Sequence, residues 1–181
     1  MQSFRQVTRK EQEKIKPAIE ELIGVYLGSD AKQTVTSLVT WLRGNGMPPK
    51  WSSLNGWTAG HRRSSICSIY LPYPNGRDVT ELCLYLNNID GYAASVEAAG
   101  LAGIVKGGVF YCVLAPGQSG VGCHPTKKCG QGVDLTVLGT IFHDTCRHRP
   151  QTWVYDPDAQ TIGGVIKLLA MERAARDGGA Q

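Results

Sequence analysis

The densest chemistry in the chain is the run Cys123-His124-Pro125-Thr126-Lys127-Lys128-Cys129, followed by His143-Asp144-Thr145-Cys146-Arg147-His148. Three of the six cysteines and three of the four histidines fall between positions 123 and 148. Zinc takes nitrogen and sulfur ligands in a tetrahedron, usually from two short clusters separated by a spacer. Cys123-x5-Cys129, a spacer of thirteen residues, and then His143-x2-Cys146 or Cys146-x-His148 have that form. The first pair is wider than the usual spacing of about two to four residues. The expected zinc ligands are drawn from Cys123, Cys129, His143, Cys146 and His148. The stretch from Ala115 to Gly132 is long, glycine-rich and poor in apolar residues. Loops of that kind are uncommon in compact domains unless they are functional or disordered, and a metal bound at both ends would close it.

The same residues support a second chemistry. A thiolate nucleophile needs a neighbouring imidazole or positive field to form near neutral pH. Cys123 or Cys129 would be the nucleophile, His143 the base, and Lys127 and Lys128 a source of that field. Asp144 is poorly placed to orient His143, because adjacent strand residues face opposite ways; Asp156 or Asp158, in YDPDAQ, is the expected third member. This is the logic of cysteine-dependent hydrolases acting on peptide or amide bonds, and no nucleophile signature accompanies it. Disulfides are the third possibility, although the chain is large for a disulfide scaffold. Cys67 and Cys112 lie in apolar strand-like runs and are expected to be buried thiols.

Three other motifs fail on inspection. Gly117-Gln-Ser-Gly-Val-Gly122 resembles half a P-loop, but Cys123-His124 stand where Lys and Ser/Thr must be. His124-Pro125 lacks the glutamate and the Cys-x-x-Cys of zinc deaminases. FHDTCRHRPQTW continues into Gln151 and Thr152, where a metal-stapled homing nuclease needs a catalytic His and a metal-binding Asn.

The net charge of +4 is mild for a nucleic-acid module, but the positive residues cluster. Arg9-Lys10 with Lys14 and Lys16, His61-Arg62-Arg63, Lys127-Lys128 and Arg147-His148-Arg149 are the clusters. Solvated surface charge accounts for such runs in most proteins. The alternative is an anionic partner contacted by His61, Arg62, Arg63, Lys127, Lys128 and Arg147. Trp51 and Trp57 precede that first triplet and are either base-stacking platforms or plugs of the core, the core being the commoner fate.

The elements that must position these residues read as α+β. Thr8 and Glu11 form a capping box, and Ile15, Ile19, Leu22, Ile23 and Tyr26 recur at helical spacing, with Pro17 a kink or a new start. Val35, Leu38, Val39 and Leu42 stripe a second helix, with Gly44 as its cap. Trp51 to Gly60 reads as loop. RSSICSIYLPYP and RDVTELCLYLN flank Asn75-Gly76 as a hairpin. That turn sets Cys67 opposite Leu84 and Ser68 opposite Cys83, with Cys67, Ile69, Leu71, Leu82, Leu84 and Leu86 on one core face, and parity disfavours a Cys67–Cys83 disulfide. Asp90 is expected to cap a helix from Gly91 to Ala99, ended by Gly100. Val109 to Leu114 reads as a buried strand, and Val133 to Ile141 as a half-buried one that turns His143 inward. Thr152 to Tyr155 is a further strand, and Ile162, Val165, Ile166 and Leu169 stripe a C-terminal helix running to about Arg176.

The expected organisation is one globular domain over 1–181, with a helical part at 1–50, strands and loops at 51–160, and a C-terminal helix at 161–176. No apolar run approaches the ~18 residues that cross a bilayer, and the polar start MQSFRQVTRKEQEK is no secretory signal, so the expected location is cytoplasmic. The leading functional expectation is a zinc-stabilised, mildly basic domain that binds RNA or DNA. The runner-up is the thiol hydrolase, and a third reading is a protein-interaction module with a structural metal. In any of them the N-terminal helices are available for homo-oligomer formation.

Overall fold

The structure, a computed structural model, describes residues 8–73, 76–111, 132–146 and 151–178. Its N-terminal helices α1 (Arg9–Ile15), α2 (Ile19–Tyr26) and α3 (Ser29–Gly44) begin where the capping box predicts. The backbone N–H of Thr8 donates to Glu11 Oε2 (2.7 Å) while the Glu11 N–H donates to Thr8 Oγ1 (3.3 Å). Lys16, at φ 46°, ends α1 directly before Pro17, so the proline separates two helices rather than kinking one. Gly44 is still helical; Asn45 follows as cap and Gly46, at φ 74°, takes the left-handed position assigned to Gly44 from sequence.

Five antiparallel strands form the main sheet in the order β1-β2-β3-β4-β7: β1 (Lys50–Ser53), β2 (Gly56–His61), β3 (Ser64–Tyr70), β4 (Glu81–Leu84) and β7 (Thr152–Tyr155). The β1–β2 hairpin occupies the stretch expected to be loop. Glycine, serine and asparagine hide it in the sequence, and a tertiary contact holds it. Asn55, at φ 48° in the turn, receives the buried Gln12 of α1. Gln12 Nε2 donates to Asn55 Oδ1 (2.5 Å), and Gln12 Oε1 accepts from the Asn55 N–H (3.0 Å). The β3–β4 register is the expected one, with Cys67 opposite Leu84 and Ser68 opposite Cys83. The strands stop earlier than the sequence suggests, at Tyr70 and Glu81, and Asn75 lies outside the described residues.

A 3-10 turn (Ile89–Tyr92) leads into α4 (Ala93–Ala98), where one helix capped by Asp90 was expected; Asp90 makes no cap, and Gly100, at φ 68°, ends the segment as expected. After α5 (Ala102–Gly107), Val109 and Phe110 are not in a strand, and Tyr111 makes a single antiparallel bridge to Thr145. The run from Val133 is a second two-stranded sheet, β5 (Val133–Val137) and β6 (Thr140–Thr145), and not one strand. Leu138 and Gly139, both at positive φ (47° and 70°), reverse the chain between them. Finally α6 (Ala159–Gly178) starts at Asp158, whose carboxylate accepts from the Thr161 N–H (2.7 Å).

One cluster fills the interior. Ile19, Leu22 and Ile23 of α2, Val35, Leu38, Val39 and Leu42 of α3, and Ile162, Val165, Leu168 and Leu169 of α6 pack with one face of the sheet. That face comprises Trp57, Ala59, Cys67, Ile69, Leu82, Leu84 and Val154. The apolar stripes of α2 and α3 are buried within the chain, and Ile15 is the large apolar residue of α1 left exposed. The outer edge of β7 meets α5: the Trp153 N–H donates to the Gly108 carbonyl (2.8 Å), and a Cβ on Gly108 would stand 2.6 Å from the Trp153 oxygen. Among the described residues no helix is long and apolar enough to cross a membrane.

Candidate functional site

Of the expected zinc and thiol residues, Cys123, Cys129 and His148 lie outside the described residues, as do Lys127, Lys128 and Arg147. His143 and Cys146 stand on β6 and just beyond it. His143 faces outward, with its side chain 73% exposed, because the reversal at Leu138-Gly139 resets which residues face inward. Its Nδ1 lies 3.0 Å from Asp134 Oδ1 across the hairpin, which leaves Nε2 on the far side of the ring. Cys146 is buried, with its N–H donating to the Phe110 carbonyl (2.8 Å). Tyr111 and Gly132, both among the described residues, reach this place. Tyr111 bridges Thr145, and Gly132 lies so close that a Cβ there would be 2.5 Å from Asp144 Cα. An imidazole held by a carboxylate at one nitrogen is the arrangement of a metal ligand with its outer partner, and equally of an oriented base. Among the described residues no group of three or more His, Cys, Asp or Glu is placed to hold a metal.

Asp156 is not the residue that orients His143. Its Oδ1 accepts from the Thr80 N–H and its own N–H donates to the Thr80 carbonyl (2.8 Å each), which ties the end of β7 to the start of β4. The carboxylate on His143 is Asp134, four positions before Leu138, and no single-strand reading brings the two together. Cys67, Cys83 and Cys146 are buried cysteines. Burial, and to a lesser degree Cys83, pushes the Cys67 thiol far above its ordinary range, so it is inert at neutral pH. A cleft of about 700 Å³ opens between the start of α3 and the β7–α6 link, with Asp30, Asp156 and Asp158 on its walls. Two of those carboxylates are engaged by the Thr80 and Thr161 amides.

The basic triplet is assembled as a site. Arg62 and Arg63 are the two central residues of the turn between β2 and β3, at φ 48° and 66°. Such a turn favours Asn-Gly because both positions are left-handed. Behind it stands Asp177 near the end of α6: His61 Nε2 and Arg62 Nε each lie 2.8 Å from its Oδ1, and Arg173 Nε lies 3.9 Å from its Oδ2. The hydrogen bond to His61, then the charges of His61, Arg62 and Arg173, hold the Asp177 carboxyl below its ordinary range. Arg62 Nη1 also donates to the Arg176 carbonyl (3.0 Å), closing the C-terminal end of α6. Arg63 is exposed and has no partner among the described residues. Sequence reasoning found the triplet and missed Asp177 and Arg173, which lie more than a hundred positions away in the chain.

The two tryptophans beside the triplet are core residues. Trp57 is fully buried and donates Nε1 to the Pro17 carbonyl (2.8 Å); half-buried Trp51 donates to Gln12 Oε1 (3.2 Å). The aromatic surface is elsewhere, on the sheet face away from the core. One row across it reads Tyr70, Glu81, Tyr155, and the next Thr58, Ser68, Cys83, Trp153. Tyr70 and Trp153 stack at 6.2 Å and 13°, and Phe110 tilts against Trp153 at 6.1 Å. The Arg77 guanidinium lies 4.6 Å over Tyr70 and 5.8 Å from Tyr73, with Nε on Glu81 (2.8 Å). Beside the rings, hydroxyls connect Ser52, Thr58, Ser68 and Tyr85 at 3.2, 2.9 and 3.3 Å. Burial, partly offset by Ser68, pushes the Tyr85 phenol up to about 12. Comparison of the chain with protein-family models, with curated proteins and with solved structures found no match, so its geometry alone carries the functional reading.

Proposed function

We propose that this chain is a mildly basic cytoplasmic domain that binds nucleic acid, with zinc closing the segment between Tyr111 and Gly132. The observation that supports nucleic-acid binding is the Arg62-Arg63 turn. A left-handed residue other than glycine is disfavoured by about 1–2 kcal/mol, and two arginines occupy positions where Asn-Gly would relieve that cost. Backbone held in such conformations clusters at functional sites. Arg62 has a structural task at the end of α6; Arg63 has none among the described residues. Its guanidinium suits a phosphate.

Affinity for a labelled oligonucleotide, followed by fluorescence anisotropy, should fall steeply with added salt. Arg63→Ala should flatten the plot of log affinity against log salt by about 0.7–0.9 per lost phosphate contact, with no change in the melting temperature. Absence of binding at ~50 mM salt, where counterion release favours attachment most, defeats the proposal.

The Asp134–His143 pair favours both a zinc ligand and a thiol-activating base, and one substitution separates them. In a zinc site, His143→Ala releases a thiolate, so iodoacetamide alkylation of Cys123 at neutral pH should speed up and about one zinc per chain should be lost. In a hydrolase the same change removes the imidazolium partner, and alkylation should slow with zinc absent from both proteins. An unchanged rate and an unchanged metal content count against both roles.

A further inference from the structure

We propose that the cleft of about 700 Å³ between the start of α3 and the β7–α6 link is a binding site for a small aliphatic diamine or polyamine. Each wall supplies a carboxylate and a threonine. Asp30 and Thr34, four residues apart, share one face of α3. On the other wall Asp156 is tied to Thr80, and Asp158 follows it. Thr34 and Thr80 are only 8% and 3% exposed, yet neither hydroxyl has a hydrogen-bond partner among the described residues. Both oxygens remain accessible from the cleft. Hydroxyls of buried residues are nearly always hydrogen-bonded, so two that open onto one cavity mark where the polar atoms of a ligand fit. Val35 and Pro157, both buried, add apolar lining from each wall. The site lies at the opposite end of α6 from Asp177 and is independent of the nucleic-acid reading.

Charge selects the occupant. Asp30 Oδ1 accepts from the Ser29 hydroxyl (2.9 Å), Asp156 Oδ1 from the Thr80 N–H (2.8 Å) and Asp158 Oδ1 from the Thr161 N–H (2.7 Å). All three donors are neutral, and among the described residues no Lys, Arg or His lines the cleft. Three negative charges thus stand uncompensated in a chain of net charge +4. The hydrogen bonds from Thr161 hold the Asp158 carboxyl below its ordinary range, which keeps it charged. The three carboxylates are not grouped closely enough to hold one metal ion. The cleft also dwarfs the ~30 Å³ share of a single water and falls within the size range of small-molecule sites. An ammonium group donates three hydrogen bonds and accepts none, which suits carboxylate oxygens and hydroxyl lone pairs. A ligand with ammonium groups joined by methylenes meets the acceptors of both walls and covers Val35 and Pro157 between them.

The test is calorimetric titration of putrescine into the full chain, at low salt and without nucleic acid, alongside butanediol, its uncharged analogue, and Mg²⁺. Putrescine should bind at about one site per chain and raise the melting temperature, with butanediol and Mg²⁺ weaker by roughly tenfold or more. Asp30→Asn should weaken putrescine binding roughly 2- to 5-fold, the scale of an exposed ion pair. Asp158→Asn, which keeps a capping side chain, should do the same. Thr80→Val should weaken it roughly 2- to 10-fold by removing a hydrogen bond. Glu97→Gln removes an exposed carboxylate of α4 outside the cleft and should leave binding unchanged. Melting temperatures of the variants without putrescine separate lost binding from lost fold; where Thr80→Val is itself destabilised, the two asparagine variants at exposed positions decide. Equal binding of butanediol or Mg²⁺ overturns the assignment, as does a loss in Glu97→Gln equal to that in Asp30→Asn. So does the absence of both heat and thermal stabilisation at millimolar putrescine. Each of these results leaves the oligonucleotide test of Arg63 standing.

Discussion

Glu172→Ala is expected to destabilise the protein by about 3–5 kcal/mol, the usual effect of removing one partner from a buried ion pair, and to lower the melting temperature by roughly 10 °C. Glu172 has no exposed surface, yet four donors converge on its carboxylate: the Asn88 N–H (3.1 Å), Asn88 Nδ2 (2.9 Å), the Tyr92 hydroxyl (2.7 Å) and Arg176 Nε (2.8 Å). Arg176 carries the network onward, with Nη1 donating to Ser64 Oγ (2.8 Å) and the Ser65 carbonyl (3.0 Å) and Nη2 to the Tyr85 carbonyl (2.8 Å). One carboxylate thus holds α6 to the 3-10 turn and, through Arg176, to the beginning of β3 and the end of β4. Alanine would leave a buried guanidinium uncompensated. Denaturant melts of the variant check the size of the loss; a change below ~1 kcal/mol, the scale of exposed pairs, would show that Glu172 is not buried as described.

The pH dependence follows from the same carboxylate. Burial alone would raise the Glu172 pKa, but the hydrogen bonds from Arg176, Tyr92 and Asn88 hold it below the ordinary range. A group whose folded pKa is depressed contributes stability that is complete above its unfolded value, near 4.3 for glutamate, and lost as pH falls through the folded value. Glu172→Gln should therefore be less stable than the wild type at pH ~7 and lose less between pH ~4.3 and more acid conditions, so the two stability curves converge. A gap that stays constant down to pH ~2 would mean that folding leaves the carboxyl's pKa unchanged.

Trp57→Ala should cost a similar amount, about 3–5 kcal/mol. The indole is fully buried on the core face of β2, and its Nε1 donates to the Pro17 carbonyl in the link between α1 and α2. Removing it leaves a cavity and an unpaired carbonyl together. Trp57→Phe separates the two contributions: it keeps most of the volume and deletes the donor, and should cost about 1–3 kcal/mol. Wild-type melting behaviour for Trp57→Ala would place the side chain at the surface and restore it as a stacking candidate.

Local signals in the sequence were legible and long-range ones were not. The β3–β4 pairing could be read because strand parity is strict and the pairing is centred on Asn75-Gly76, even with shorter strands than the pattern suggests. The Thr8–Glu11 box and Pro17 likewise mark helix ends by chemistry within a few residues. The β5–β6 reversal is hidden because Leu138 occupies a left-handed position that leucine disfavours. Glu172 and Arg176 look like an ordinary exposed i,i+4 pair until α6 is laid on the sheet. In the candidate site, Arg62 and Arg63 could be read as a cluster, but Asp177 could not be read as their counter-charge. The aromatic rows depend on β4 pairing with β7, roughly seventy positions apart in the chain, and no local pattern reports that register.

The contact between Gly108 and β7 also bears on self-association. A sheet edge normally offers a row of unpaired amides to any passing extended chain, and proteins suppress this by covering or shortening the edge. Here the Trp153 amide is occupied by the end of a helix, at a distance that only glycine permits. At the opposite margin β1 has four residues and an irregular register between Trp51 and Ser53. The five-stranded sheet is thus closed to growth at one side and too short and uneven at the other to template a strand, and its aromatic outer face can be displayed without seeding fibrils from the edges.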